Sequence, residues 1–237
     1  MDVKQITETT KNFYKNISTE FSSTRQYAWK GWTQTFENID IRVNCNVDTV
    51  VASQPKVLDL GCGNARFYEF LKNKYAITLN YTGLDTDEGL LKIAREKYIN
   101  EPNVTFENID IIQNIHVITD KYDLVVGFGI THHLPGKNNR LEWFDTVSKL
   151  VNVDGYLVLS FWNFLAKKSL VVATELEEND YWLSWNNKDI KRYCHYYDEN
   201  ELEKITNILK NNGFVLKNKI QSEEDLNIYM VFKKELI

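Results

Sequence analysis

The sequence predicts an α/β protein built on a seven-stranded, mostly parallel sheet with helices on both faces. In residues 57–67, a short apolar strand is followed by a glycine turn and then by apolar residues at helical spacing, which is the opening of a βαβ unit. Strand-like and helix-like segments then alternate without a break to residue 162, which indicates a parallel sheet. Residues 122–128 are nearly all apolar, as a central parallel strand should be.

The composition fits one α/β domain with additions. The chain has 237 residues, of which 43% are hydrophobic. It has no apolar run of about 18 residues or more, so no membrane span is expected. The N-terminus is polar, unlike a secretory signal. The three cysteines, at positions 45, 62 and 194, form no C-x-x-C pair. We therefore expect a cytoplasmic protein without a disulfide framework or a zinc site. The net charge of −5 counts mildly against an extended RNA-binding surface.

Residues 1–55 precede the first strand and are predicted to form a helical cap. Ile6, Phe13, Ile17 and Phe21 recur at helical spacing, so an amphipathic helix is expected there. A polar turn carrying Arg25 follows, and a second helix is predicted from residue 29 to about residue 39. Two interpretations remain open. The segment either covers one edge of the sheet or forms a lid that turns Arg25 toward a substrate.

Residues 56–237 are predicted to form the main domain. The predicted strands are 57–60, 81–85, 104–108, 122–128, 156–162, 214–220 and 228–233. The predicted helices are about 64–74, a segment after residue 85, 140–150 and 199–211. Residues 163–192 lose this periodicity and mix charges with tryptophans, which predicts an insertion on the substrate side. That insertion is either a solvated excursion or a lid that is more mobile than the core.

Acids and glycines follow several of the predicted strands. Ligands of open α/β sheets bind at the carboxyl ends of the strands, so these residues are expected in one crevice. Asp85 lies 26 residues after Asp59, close to the spacing at which an acid binds ribose hydroxyls. Asp59 stands before the glycines, where a carboxylate would repel a pyrophosphate. A cationic ligand without phosphates fits better, and S-adenosylmethionine (SAM) meets that description.

The motif V-L-D-L-G-C-G-N at residues 57–64 resembles the first motif of the Rossmann-like SAM-dependent methyltransferases. This resemblance implies that Asp85 binds the ribose hydroxyls, and that Asp110 and Ile111 hold the adenine. It also implies that Asp59 and the glycine turn face the methionine end of the cofactor. The remaining expected cofactor residues are Gly61, Gly63, Thr86 and Gly127. The alternatives are a doubly wound protein with another nucleotide site or none, and a catalytically idle binding subunit.

The segment after the fourth strand restricts the methyl acceptor. Phe128-Gly129-Ile130-Thr131 stands where many amino-group methyltransferases carry Asn/Asp-Pro-Pro-Tyr/Phe. A Pro-Cys pair for covalent attack on a pyrimidine ring is also absent. Oxygen acceptors, carbon acids and thiols remain.

A narrower resemblance covers the chain from about residue 13 to the C-terminus. The pieces F-S-S-T-R, I-T-H-H-L, F-W, a tryptophan and K-R-Y-C-H-Y-Y begin at residues 21, 130, 161, 185 and 191. Together they resemble the eukaryotic tRNA methyltransferases that esterify 5-carboxymethyl groups on wobble uridine, and the methyltransferase domain of the AlkB-homologue tRNA enzyme. Three positions depart from that family's pattern: Leu134 stands for Trp, Val153 for the Pro of a Pro-Gly-Gly turn, and Ser184 for Pro.

The narrower resemblance implies a tRNA anticodon stem-loop as substrate and a small zinc-binding activator protein as a possible partner. A carboxylate acceptor is ionised at neutral pH, so the site needs a cation to hold it rather than a base. Arg25 can supply that cation with a planar pair of hydrogen bonds. The expected catalytic residues are Arg25, His133, Trp162, Tyr193 and His195. The alternative substrate is a small molecule: a quinone, a lipid precursor or a carboxylic acid.

Overall fold

The computed structural model describes residues 2–41, 54–166, 173–176, 178–184 and 190–236. Its six α-helices are α1 (Val3–Ser23), α2 (Lys30–Thr35), α3 (Arg66–Tyr75), α4 (Glu88–Lys97), α5 (Lys137–Ser148) and α6 (Glu199–Asn211), counted over these residues. The strands of the first half are β1 (Lys56–Leu60), β2 (Asn80–Asp85), β3 (Val104–Asn108), β4 (Tyr122–Gly127) and β5 (Val151–Trp162). Those of the second half are β6 (Ala173–Glu175), β7 (Asp180–Ser184), β8 (Lys191–His195), β9 (Phe214–Ser222) and β10 (Asn227–Lys234).

The main sheet has seven strands in the order β3-β2-β1-β4-β5-β10-β9. The first five run parallel, and β10 is antiparallel to both β5 and β9. The prediction of a seven-stranded, mostly parallel sheet is therefore confirmed. In this order β1 lies between β2 and β4, so the residues that follow these three strands meet at one edge of the sheet.

Hydrophobic side chains cover both faces of the sheet. One cluster packs α5 and α6 against one face through Trp143, Phe144 and Leu209. The other packs α2 and α3 against the opposite face through Trp32, Phe36 and Phe67. A sheet buried on both sides is rigid, so it can hold loop residues at its edge in fixed positions.

Two elements differ in length from their predictions. Helix α2 ends at Thr35 rather than near residue 39, because the chain turns to bury Phe36, Ile39 and Ile41 in the core. Strand β5 begins at Val151 rather than at residue 156. The predicted turn at Asp154 lies inside this strand, where Asp154 takes a left-handed φ of 64° and the pairing with β4 shifts its register.

The predicted insertion contributes a second, three-stranded antiparallel sheet in the order β6-β7-β8. Its greater mobility stays a prediction. Trp185 and Cys45, which the sequence analysis singled out, lie outside the described residues. Over the part of the chain that the structure describes, no helix is long and apolar enough to cross a membrane.

Candidate active site

Two cavities open at the carboxyl edge of the parallel strands. The inner cavity, of about 130 Å³, lies over the glycine turn after β1 and beside the residues that follow β2 and β4. The outer cavity is larger, at about 570 Å³, and is lined by the end of β5, by β8 and by the turn between β9 and β10. They share a wall made of Tyr14, Phe21, Arg25, Trp29 and Gly129. The two cavities are therefore neighbours, as two reactants of a transfer reaction would require.

The turn after β1 positions the carboxylate of Asp85. Gly61 and Gly63 adopt left-handed φ angles of 79° and 55°, which glycine reaches without strain. This conformation lets the Gly63 amide donate to Asp85 Oδ2 over 2.8 Å, while the Asp87 amide donates to Oδ1 over 2.9 Å. Burial raises the pKa of Asp85, and these two amides oppose the shift. The Asp85 carboxylate, held by these amides, lines the inner cavity.

Asp59 and Arg66 bring opposite charges to the inner cavity. Asp59 is only 2% exposed and accepts a hydrogen bond from the Tyr81 hydroxyl. Burial raises the pKa of Asp59 to about 7, although the Tyr81 hydrogen bond and the Arg66 cation favour the charged form. Burial also lowers the pKa of Arg66 to about 10, with the Arg25 cation adding to the effect. An acid and a guanidinium on one cavity suit a zwitterionic ligand.

Asp110 lies in the turn after β3, beside Ile111 and Ile112, which also line the inner cavity. Its Oδ1 accepts hydrogen bonds from the amides of Ile112 at 3.1 Å and Gln113 at 3.2 Å. Its Oδ2 lies 2.6 Å from the Lys11 ammonium of α1. The Lys11 side chain therefore reaches across the inner cavity to a carboxylate that the sequence assigned to a ligand.

Helix α1 forms one wall of the inner cavity. Thr7, Thr10, Lys11 and Tyr14 line the cavity from this helix. The Asn64 amide in the glycine turn donates to Ser22 Oγ at 3.0 Å and to the Arg25 carbonyl at 3.1 Å, which fastens the end of α1 to the turn. In the N-terminal segment, α1 lines the cavity and α2 packs on the sheet, while a lid function of this segment stays a prediction.

His133 contacts the shared wall through Tyr14. Its Nδ1 lies 2.7 Å from the Tyr193 carbonyl, which can only accept, so Nδ1 carries the hydrogen. Its Nε2 then accepts from the Tyr14 hydroxyl at 2.8 Å. Burial lowers the pKa of His133 to about 3, and the nearby Arg192 cation contributes to the shift. His133 is therefore a neutral imidazole whose two nitrogens are both engaged.

The outer cavity places cations and aromatic rings inside and acids at its mouth. Arg192 is 6% exposed, and Trp162 is half-buried. Arg25 is half-buried, with its guanidinium carbon 3.8 Å from the centre of the Phe21 ring. Glu223 and Glu224 of the turn between β9 and β10 are exposed. The positive charge therefore lies deeper than the negative charge.

The expected site residues separate into two groups. Those that line the inner cavity are Arg25, Asp59, Gly61, Gly63, Asp85, Thr86, Asp110, Ile111 and His133. Trp162 lines the outer cavity, as does Arg25. Gly127 lines neither cavity. A Cβ at Gly127 would lie 3.1 Å from Leu159 and 3.3 Å from Ile130, so its small size serves packing.

Tyr193 and His195 also line neither cavity, contrary to the expectation that they face the substrate. His195 is fully buried, with Nδ1 at 2.5 Å from Asp180 and Nε2 at 2.9 Å from Glu201. The Tyr193 hydroxyl donates to Asp180 over 2.6 Å. Arg140 joins the same network from α5. The hydrogen bonds of Tyr193 and His195 therefore connect the small sheet to α5 and α6.

Sequence reasoning missed several residues that line the cavities: Lys11, Tyr14, Asn64, Arg66 and Arg192. Lys11 and Tyr14 belong to an amphipathic pattern that gave no functional signal. Arg192 belongs to the motif K-R-Y-C-H-Y-Y that begins at residue 191. Its position next to Tyr193 was the only feature of the sequence that pointed to a role in the site.

A third group of polar side chains lies beside the shared wall. His132, His133 and Cys194 place potential ligand atoms within 4.8 Å of one another, and all three are buried. The Arg192 guanidinium hydrogen-bonds the Cys194 thiol, and Tyr14 already donates to His133. A guanidinium in contact with one of three candidate ligands opposes a metal cation, so this group is an internal polar cluster.

Known proteins resemble this chain in sequence. Residues 58–157 match a family model described as a methyltransferase domain. The methyltransferase-type protein 235L of Invertebrate iridescent virus 6 is 30% identical over 132 residues, which are 56% of this chain and 46% of that protein. The chain thus spans about half the length of this viral relative. A tRNA (carboxymethyluridine(34)-5-O)-methyltransferase of Schizosaccharomyces pombe is 22% identical over 185 residues, 78% of this chain and 71% of that protein.

Solved structures share the fold. The magnesium protoporphyrin IX methyltransferase of Synechocystis PCC 6803, determined with bound SAM, superposes with a TM-score of 0.58. The match covers 99% of this chain and 98% of that one at 19% sequence identity. At this identity the likeness is one of fold, and it agrees with the sheet order described above.

Proposed function

We propose that this chain is a SAM-dependent carboxylate O-methyltransferase whose acceptor is the 5-carboxymethyl group of a wobble uridine in tRNA. The match of residues 58–157 to a methyltransferase-domain model supports the reaction class. The observation that carries this proposal is the position of Arg25. It lines both cavities, so it is placed where an acceptor in the outer cavity would meet a cofactor in the inner one.

The residues that line the inner cavity support SAM as the cofactor. Backbone amides hold the Asp85 carboxylate in place, and carboxylate oxygens are suitable acceptors for the ribose hydroxyls. Asp59 and Arg66 offer opposite charges to the amino-acid end. Asp110 and Ile111 are proposed to hold the adenine. When bound, SAM supplies an electrophilic methyl group on a sulfonium.

The side chains around Arg25 favour a carboxylate over an acceptor that must lose a proton. A carboxylate is ionised at neutral pH and needs no general base. His133 is neutral and has both nitrogens engaged, so no free imidazole faces the junction from this residue. Arg25 would hold one carboxylate oxygen and leave the other directed at the inner cavity. The rings of Trp29, Phe21 and Trp162 would exclude water from the reacting atoms.

The proposed partner is the anticodon stem-loop of tRNA. Two features support it: the similarity to the Schizosaccharomyces pombe enzyme and the motif pieces beginning at residues 21, 130 and 191. Trp162 would stack on the uracil, as aromatic residues do in proteins that bind single-stranded RNA. A small zinc-binding activator protein remains part of this proposal.

The test is mass spectrometry of nucleosides from tRNA incubated with SAM and the protein, alone and with a candidate activator. We expect conversion of 5-carboxymethyluridine to its methyl ester. Asp85→Ala should abolish conversion by removing cofactor binding, whereas Asp120→Ala, at an exposed position, should not. An unchanged nucleoside profile with an active cofactor site would refute the tRNA substrate.

A second candidate is a small carboxylic acid. The acids at the mouth of the outer cavity and the net charge of −5 favour this candidate, because both would repel the phosphate backbone of an RNA. Activity on free carboxylates with no activity on tRNA would select this candidate.

A further inference from the structure

We infer that the floor of the outer cavity is a carboxylate-binding subsite in which Arg192 anchors the acceptor and Arg25 closes on it from the shared wall. This inference deepens the proposed function and rests on it. It assigns a substrate role to Arg192 and none to the neighbouring Tyr193 and His195.

Aromatic rings fix the Arg192 guanidinium in place. Its central carbon lies 4.8 Å from the centre of the Phe13 ring, 5.3 Å from that of Trp162 and 5.9 Å from that of Tyr14. Guanidinium groups pack favourably on aromatic faces, which holds the plane of the group in a fixed orientation. The thiol of Cys194 contacts the same group. A guanidinium held this way loses little freedom when an anion binds.

Arg25 belongs to the same electrostatic field. Arg25 and Arg192 both line the outer cavity, and burial together with the Arg192 cation lowers the pKa of Arg25. Tyr14 lines the same cavity and hydrogen-bonds His133. Two arginines stay charged at any physiological pH, so an anion between them would relieve their mutual repulsion.

The acids at the mouth limit the kind of anion that fits. Asp225 accepts hydrogen bonds from the Gly31 amide at 3.1 Å and the Tyr229 hydroxyl at 2.7 Å, and Glu224 pairs with Lys30 at 2.8 Å. These carboxylates would repel a second negative charge on the ligand. A ligand would therefore place its carboxylate at the floor of the cavity, away from these acids, with a flat, uncharged ring against Trp162.

The experiment compares an acid with its neutral amide on protein saturated with S-adenosylhomocysteine. The probes are 5-carboxymethyluridine and 5-carbamoylmethyluridine, with phenylacetate and phenylacetamide as a second pair. The wild-type protein should bind at least one acid ten-fold or more tightly than its amide. Arg192→Met should lower acid affinity at least ten-fold and leave amide affinity unchanged, because only the charge-assisted hydrogen bonds are lost. Arg192→Lys should recover part of the preference.

Arg95→Met is the matched control, since Arg95 lies on α4 and lines neither cavity. Binding of S-adenosylhomocysteine shows that each variant is folded, and Arg192→Lys replaces Arg192→Met if the latter does not fold. The inference is overturned if the wild type does not distinguish acid from amide, or if the Arg192 variant loses both equally. Acid preference that depends on Arg192 without tRNA methylation refutes the proposed tRNA substrate alone. Methylation of tRNA that survives Arg192→Met refutes the subsite alone.

Discussion

The ammonium of Lys11 lies 2.6 Å from the Oδ2 atom of Asp110, so helix α1 makes an ion pair across the inner cavity. The Asp110 side chain is only 10% exposed, and its other oxygen is held by two backbone amides. Lys11 therefore contacts the Asp110 oxygen that the two backbone amides leave unbonded. A ligand that needs this oxygen must compete with Lys11, which couples cofactor binding to the position of α1.

Removal of Lys11 tests this competition. In Lys11→Met we expect SAM to bind three- to ten-fold more tightly, because Asp110 no longer has to leave an ion pair. Calorimetry on the purified protein measures the change. Lys15→Met is the control, since Lys15 is exposed on the same helix. Weaker binding in Lys11→Met would show that Lys11 holds the cofactor instead of competing with it.

We expect the raised pKa of Asp59 to make cofactor affinity depend on pH. Burial raises this pKa to about 7, so a fraction of Asp59 is protonated in the free protein near neutral pH. The cationic end of SAM favours the carboxylate, so binding below pH 7 must release a proton. Affinity should therefore rise between pH 6 and pH 8, and this rise should be absent in Asp59→Asn. Calorimetry in two buffers of different ionisation enthalpy measures the released proton, and equal heats in both buffers would contradict the assignment.

The same shift predicts the pH dependence of stability. The folded pKa of Asp59 is about 7 and the usual value is 3.8, so the folded state binds the extra proton between these values. Stability from this group is full below about pH 4 and is lost as pH rises toward 7. Asp59→Asn should be more stable than the wild type at pH 8. Its free energy of unfolding should still fall somewhat with rising pH, because burial also raises the pKa of Asp85. Urea unfolding at pH 4.5 and pH 8 measures the difference, and parallel curves for the two proteins would contradict it.

Arg25 is expected to act on the acceptor and not on the cofactor. Arg25→Lys keeps the charge but loses the planar pair of donors, so it should be nearly as damaging as Arg25→Ala. We expect both to lower kcat/KM about 30- to 100-fold, the equivalent of about 2–3 kcal/mol for hydrogen bonds to a charged group. The assay is turnover of a carboxymethyluridine-bearing stem-loop at two salt concentrations, with SAM affinity alongside. Rescue by Lys that fades with salt would indicate a distant phosphate contact, and full activity in Arg25→Ala would remove Arg25 from the site.

His195 is expected to stabilise the fold without touching the acceptor. It is fully buried between Asp180 and Glu201, and its removal leaves two carboxylates and Arg140 without a central partner. His195→Ala should lower the free energy of unfolding by about 3–5 kcal/mol, the usual cost of breaking a buried polar network. The SAM affinity of the folded fraction should stay within two-fold of wild type. A fully stable variant with lost turnover would return His195 to the catalytic residues.

The sequence alone determined the order of the elements and the position of the cofactor-type turn. These features depend on contacts between residues close in the chain. The apolar period separates strands from helices, and the glycines at positions 61 and 63 supply the left-handed backbone that brings an amide to Asp85. Since the carboxyl ends of parallel strands meet at one edge, Asp59, Asp85 and Asp110 could be placed together without coordinates.

Only the tertiary structure decided which side chains of the N-terminal helix and of β8 face the cavities. In a strand, successive side chains point to opposite faces. Arg192 therefore reaches the outer cavity. On the opposite face of the strand, Tyr193 hydrogen-bonds Arg140 of α5 and His195 hydrogen-bonds Glu201 of α6. The sequence showed that this segment was rich in polar and aromatic groups, but its pairing with β7 fixed which face each residue took. The positions of Lys11 and Tyr14 depended in the same way on where α1 packed. Lys11 is 99 residues from Asp110 in the chain, and Tyr14 is 119 residues from His133. Such long-range contacts follow from the packing of the whole chain, and no local pattern specifies them.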